Sequence, residues 1–180
     1  MTECVALIRG INVGRGNRLA MADLRGMMVD LGQTNVRTLL NSGNVLFESK
    51  RPNVAKMAAS IEAAINAACG FSAAVTVMTA QELELIVDEN PLLRVVDDHA
   101  RHLVAFVTHP KHLEAVRPML KESWMPDALA ITKRVAYLWC ATGILDSKLL
   151  QAFSRKAGAT VTTRNWATVL KLQAASKQAT

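Results

Sequence analysis

The chain is poor in several of the residues that announce a function. Three cysteines stand far apart, at Cys4, Cys69 and Cys140, outside any C-x-x-C pattern. That odd, scattered set excludes a disulfide framework and a thiolate zinc site and fits thiols that simply pack in a reducing compartment. Aromatics make up only 4% of the sequence, which leaves few platforms for base stacking. No apolar stretch approaches the roughly 18 residues needed to span a bilayer. The opening Met1-Thr2-Glu3-Cys4 has neither the basic nor the long apolar region of a secretory signal. The expectation is a cytoplasmic protein with no membrane association.

Acidic residues are missing from one segment altogether. The first 146 residues balance 15 basic against 15 acidic side chains, whereas 147–180 carry Lys148, Arg155, Lys156, Arg164, Lys171 and Lys177 with no acid, so the net charge of +6 is C-terminal. Such asymmetry fits an anionic partner, and it equally fits a solvated helix face with a basic tail. Catalytic signatures are also scarce. Ser42 has no G-x-S-x-G elbow around it, and no histidine can be paired with a nucleophile. Asp97, Asp98, His99 and His102, and likewise His109 and His112, have ligand-like composition. They fall at a strand edge and a helix start, where polar residues belong anyway, so no metal site and no cofactor are assigned.

What the chain does have is a loop. Arg9-Gly10-Ile11-Asn12-Val13-Gly14-Arg15-Gly16-Asn17 follows the apolar run Val5-Ala6-Leu7-Ile8 and precedes a helical pattern. Glycine lets backbone N–H groups turn toward an anion, and a following helix adds its positive end. The loop fits neither phosphate signature. The position five after Gly10 is Arg15 rather than the glycine of a Walker loop, and a dinucleotide fingerprint begun at Gly14 meets Leu19 where a small residue is required. A loop whose glycines only satisfy special dihedrals is the alternative.

Periodicity orders the elements. A strand over 5–8 precedes a helix over 21–31, with Leu24, Met27, Met28 and Leu31 on one face and Gly32 closing it. Strands over 36–40 and 45–47 flank the turn Asn41-Ser42-Gly43-Asn44, a helix over 54–69 ends at Gly70, and a strand covers 73–78. Thr79 and Glu82 form a capping box opening a helix to about Glu89, which Asn90-Pro91 stops. The order then recurs: strand 103–107, a helix from Lys111 kinked or broken at Pro118, strands 128–132 and 135–140 about the turn Lys133-Arg134, helix 146–157, strand 159–162. A last helix, capped by Thr163, covers about 165–173, with a loose tail after Ala174.

The fold class is therefore α+β, two tandem ferredoxin-like β-α-β-β-α-β units with an extra C-terminal helix. The units divide as 1–79 and 99–180, joined by a helical connector over 80–98. In the usual 4-1-3-2 sheet, strand 1 ends at the edge where strands 2 and 3 turn, so loop 9–17 and turn 41–44 should meet. Arg9, Asn12, Gly14, Asn17, Ser42 and Asn44 would then surround one anionic or hydroxyl-rich ligand. Arg164, Asn165 and Lys171 at the last helix are further candidates, Arg164, Thr168 and Lys171 sharing a face while Trp166, Val169 and Leu170 are buried.

Taken together, the run Leu7-Ile8-Arg9-Gly10-Ile11-Asn12-Val13-Gly14, with Asn17, Met21, Leu24-Arg25, Val36-Arg37-Thr38, Ser42-Gly43-Asn44-Val45, Phe47, Gly143, Ser147-Lys148, Thr163-Arg164-Asn165-Trp166, Thr168-Val169 and Lys171-Leu172, resembles the bacterial domain-of-unknown-function family 1697. That resemblance implies two ferredoxin-like halves and no established activity or cofactor. Against the family pattern, Arg15 replaces a second glycine, Leu39 and Leu92 replace aromatics, and Ala167 replaces an asparagine.

The ranking that follows puts first a small anionic ligand, phosphorylated or nucleotide-like, at the glycine-rich loop edge, with the reaction, if any, unassigned. The alternatives are a nucleic-acid-binding module using the basic C-terminal segment, expected to bind weakly and without sequence preference, and a non-catalytic interaction or regulatory protein. The oligomeric state is left open.

Overall fold

The architecture comes from a computed structural model that describes residues 1–177. The chain separates into two compact units, Met1–Glu84 with the segment from Leu172 onward, and Leu85–Lys171.

Unit 1 contains β1 (Thr2–Ile8), α1 (Met21–Asp30), β2 (Thr34–Leu39), β3 (Asn44–Ser49), α2 (Val54–Cys69) and β4 (Val75–Thr79). Its four strands are antiparallel in the order β2-β3-β1-β4, the 4-1-3-2 arrangement expected from the sequence. Period-two alternation along β1 sends Cys4, Ala6 and Ile8 to one face. There they join Val45, Phe47, Val75 and Val77 from the neighbouring strands and Leu24, Met28, Ile61 and Ile65 from α1 and α2. The helix ends follow their caps. Asn53 accepts from Lys56 N at the start of α2, and Gly70, at φ 72°, closes it in the left-handed region. At the end of β4 the capping box forms as read: Glu82 N donates to Thr79 Oγ1 at 3.1 Å and Thr79 N to Glu82 Oε2 at 2.9 Å, opening α3 (Ala80–Asp88).

Unit 2 repeats the sheet with β5 (His102–Val107), β6 (Ala128–Ile131), β7 (Val135–Trp139), α4 (Lys148–Ala157) and β8 (Val161–Asn165), in the order β6-β7-β5-β8. Here two expectations are corrected. The helix anticipated from Lys111 is absent, replaced by two 3-10 turns, Pro110–Leu113 and Arg117–Lys121. Pro118 has no N–H to give and crowds the carbonyl four residues back, and the apolar residues recur every third position. That spacing stacks Leu113, Val116 and Met119 along one edge of a 3-10 path, all three buried in the unit 2 core with Phe153 and Leu138.

The second correction concerns the end of the chain. Thr162, Thr163, Arg164 and Asn165 are not a helix start: they pair with Phe106, Ala105, Val104 and Leu103 as β8. The β-branched run Val161-Thr162-Thr163 favours the pleated strand over a cap. Helix α5 spans Trp166–Lys177 and is capped by Asn165, whose Oδ1 accepts from Thr168 N at 2.9 Å. The tail expected to be loose after Ala174 is helical as far as Lys177, and 178–180 lie outside the described residues. Among the described residues, no helix is long and apolar enough to cross a membrane.

Candidate functional site

Loop 9–18 is held by its own asparagines and by one glycine opposite. Backbone pairing continues past β1: Arg9 N donates to Ala74 O at 2.9 Å and Ile8 N to Gly43 O at 2.8 Å. Gly43 sits at φ +76°, and a Cβ there would lie 2.9 Å from both Ile8 Cβ and Ile11 Cδ1. Only glycine lets the turn approach this closely. Ile11, itself buried, plugs the space so created. Turn 41–44 therefore lies beside loop 9–17, as the sheet order demanded.

Asn12 clips the loop shut. Its Nδ2 donates to Leu19 O at 2.8 Å and to Asn41 O at 2.9 Å, while its Oδ1 accepts from Leu19 N at 3.0 Å. Both amide hydrogens are thus used, which makes Asn12 a brace between loop, turn and helix approach. Asn12 and Asn17 both occupy the left-handed region, at φ 57° and 49°, where asparagine is the best tolerated residue after glycine. Asn17 is exposed and donates through Nδ2 to Gly10 O at 3.3 Å. Gly14 accepts from Arg18 Nη2 at 2.7 Å. Asn44 is buried, with Nδ2 donating to Leu39 O and to Ser42 Oγ, both at 3.0 Å, so Ser42 and Asn44 shape the turn.

What the loop offers outward is charge. Arg9, Arg15 and Arg18 are exposed, and none makes an ion pair among the described residues. Arg18 helps line an open cleft of about 440 Å³ with Asn12, Leu19, Ala20, Met21 and Asn41. Ala20 is the N-cap residue of α1, extended at φ −66°, ψ 141°, and its side chain caps nothing. The first-turn N–H groups of this ten-residue helix therefore receive no cap from the N-cap side chain, and Ala20 and Met21 line the cleft together with Arg18. Asp23 is the one acid of that turn. Sequence reasoning missed Arg18 and Ala20. The signal was available, since Ala20 precedes a helical pattern where Ser, Thr, Asp or Asn is the rule.

The second group of candidates lies in unit 2 and does not form a common face. Arg164 is on β8, opposite Val104, with Nη1 donating to Thr163 O at 2.9 Å. Burial pushes its guanidinium down to about 10. Asn165 is occupied as the α5 cap. On α5, Thr168 is buried and Lys171 exposed, so the expected stripe of Arg164, Thr168 and Lys171 does not exist. Trp166 and Val169 are buried as read, and Leu170 is half-buried.

The polar residues weighed as metal ligands have other work. Asp98 accepts from Ala100 N at 2.8 Å and from Arg101 Nε at 3.0 Å, and the first of these holds its carboxyl below the ordinary range. His102 is fully buried, with Nδ1 3.0 Å from Leu138 O and Nε2 2.8 Å from Asn90 Nδ2. Only one tautomer serves both contacts: Nδ1–H donates to the carbonyl and Nε2 accepts from the amide. Among the described residues, no group of three or more metal-ligating side chains converges.

Fold and loop together define a protein of two ferredoxin-like units with an arginine- and glycine-rich loop at the end of the first sheet. The chain belongs to the family described as "Protein of unknown function (DUF1697)", whose model matches residues 1–137. A solved structure of a conserved bacterial protein from Streptococcus pneumoniae superposes with a TM-score of 0.78 at 24% identity, covering 96% of this chain and 97% of the other. At that identity the likeness establishes the fold. No curated protein matches the sequence significantly.

Proposed function

We propose that unit 1 binds a small anionic ligand, phosphorylated or nucleotide-like, in the cleft between loop 9–18, turn 41–44 and the start of α1. The observation that carries this reading is the N-cap at Ala20, whose methyl accepts no hydrogen bond and leaves the start of α1 without a side-chain cap in the cleft that Arg18 lines. Uncapped N–H groups and a bidentate cation are the two elements from which phosphate sites are built. Asn12 and Gly43 contribute by fixing the loop, so that little ordering entropy is lost when a ligand arrives.

The nucleic-acid alternative draws less support. Lys156 approaches Glu122 at 3.6 Å and Lys177 approaches Glu84 at 3.0 Å, which pairs two of that segment's basic side chains with acids. Phe47, the aromatic of β3, is buried in the unit 1 core.

The test is calorimetric titration with pyrophosphate, AMP and inorganic phosphate at fixed ionic strength. Arg18→Gln should weaken whichever probe binds by roughly 1.5–3 kcal/mol, the range of a charge-assisted hydrogen bond, without lowering the melting temperature. Unchanged affinity in Arg18→Gln would remove the reading.

A further inference from the structure

The opposite end of β3 carries a second, unassigned cleft. Asn44 begins this strand beside loop 9–18, whereas Ser49 ends it where β3 runs toward the first turns of α2. There a cleft of about 210 Å³ is lined by Gln33, Ser49, Arg51, Lys56 and Ser60, with Met57 among the apolar residues of its wall. No acid lines it, and neither Arg51 nor Lys56 has an ion-pair partner among the described residues. Two free cations converging with two hydroxyls on one small hollow are matched by an anion that also accepts hydrogen bonds.

Gln33 adds an independent demand. Its Nε2 donates to Leu31 O at 3.1 Å, which tells the amide nitrogen from its oxygen, because the flipped form would set two oxygens face to face. Its Oε1 is buried and has no partner. An orphaned buried acceptor is costly to leave unmade, and its complement is a hydroxyl or N–H donor.

We propose that this cleft is a second small-ligand site, selective for a short phosphorylated polyol whose phosphate is held by Arg51 and Lys56 and whose hydroxyl donates to Gln33 Oε1 after a small swing of that side chain. The size agrees: the cleft is below the roughly 300–1,000 Å³ of drug-sized ligand pockets and suits a phosphate with a few carbons. This inference goes beyond the proposed function and is independent of it, since the two clefts lie at opposite ends of β3.

Amide-resolved NMR titration of the full chain with glycerol 3-phosphate, inorganic phosphate and glycerol tests it. Glycerol 3-phosphate should shift the Gln33 side-chain amide and the backbone signals of 49–60 saturably, and glycerol alone should not. Arg51→Gln and Lys56→Gln, both at exposed positions, should each weaken binding by about tenfold or more. Gln33→Met should reduce the affinity for glycerol 3-phosphate to that for inorganic phosphate. In Ala20→Asp, which closes the other cleft, these shifts should persist. Absence of saturable shifts, their loss in Ala20→Asp, equal binding of phosphate and glycerol 3-phosphate by the unaltered protein, or indifference to Arg51→Gln and Lys56→Gln would each overturn the assignment.

Discussion

His102 shows how one buried side chain imposes a pH dependence. Burial, countered in part by the hydrogen bond to Leu138 O, holds its pKa below the ordinary 6.5. In the unfolded chain the imidazole takes a proton near that ordinary value. Between the two pKa values the unfolded state binds more protons, so the stabilisation is complete above about pH 6.5 and is lost as pH falls below it. A second proton would also set Nε2–H against the Asn90 amide. Urea unfolding at about pH 7.5 and about pH 5.5 should show a clear loss of stability on acidification, and a smaller loss in His102→Gln. Half-buried His112, also held below its usual value by desolvation, leaves a background in both proteins. Equal losses in both proteins would show that His102 is not the titrating group.

Glycines separate just as sharply by site. Gly43→Ala meets a positive φ and two contacts at 2.9 Å with Ile8 and Ile11, and should cost at least ~1–3 kcal/mol of stability. Gly16→Ala, at ordinary φ with nothing within 4 Å, should change stability by less than about 1 kcal/mol, in the stabilising direction. Chemical denaturation of the two variants checks the contrast.

At the scale of elements, legibility in the sequence tracked local chemistry. Helix α2 was readable because its apolar residues keep the helical period and Gly70 closes it; the cap at Asn53 comes from the structure. The Thr79–Glu82 box was readable from its residue types and spacing. The 3-10 path was not, because Leu113, Val116 and Met119 satisfy a three-residue and a helical spacing equally well, and Pro118 was read as a kink or break in a helix rather than as a sign of 3-10 turns. The β8–α5 junction was misread because Thr163 is a good cap by type, yet it is needed as a rung opposite Ala105. Placement in the sheet overrode cap propensity. The same junction fixes Trp166, whose ring centroid lies 5.3 Å from that of His102. Trp166→Ala should therefore cost about 3–5 kcal/mol, the range for an aromatic core cavity, as read from melting curves.

Across the whole molecule, the sequence made legible a place for a candidate site and its charge, and no function. The meeting of loop 9–17 with turn 41–44 followed from strand order alone. What the side chains do there did not: Asn12, Ser42 and Asn44 look like ligand groups in composition, and they spend their amides and hydroxyls on bracing the loop and turn. The outward groups are the exposed Arg9, Arg15 and Arg18, of which Arg18 lines the cleft with Ala20, the residue that gives α1 no side-chain cap. A net charge of +6 also gives the molecule a general attraction for polyanions. Binding of single-stranded nucleic acid should accordingly be weak and fall steeply with salt, with a slope of about 0.7 per phosphate contacted in a log–log titration. Tight binding that survives high salt would favour the nucleic-acid reading.

The most direct measurement of the central claim is Ala20→Asp, followed by unfolding and by anion titration of the same preparation. Ala20 has the extended backbone of a cap, so aspartate there should accept from the first-turn N–H groups and stabilise α1 by about 0.5–2 kcal/mol. The same carboxylate occupies the anion's donors and repels its charge. Anion binding at the cleft predicts a protein that is more stable and no longer binds the phosphate probe. A protein stabilised to the same degree with unchanged affinity would contradict it, and would place the anion away from the start of α1.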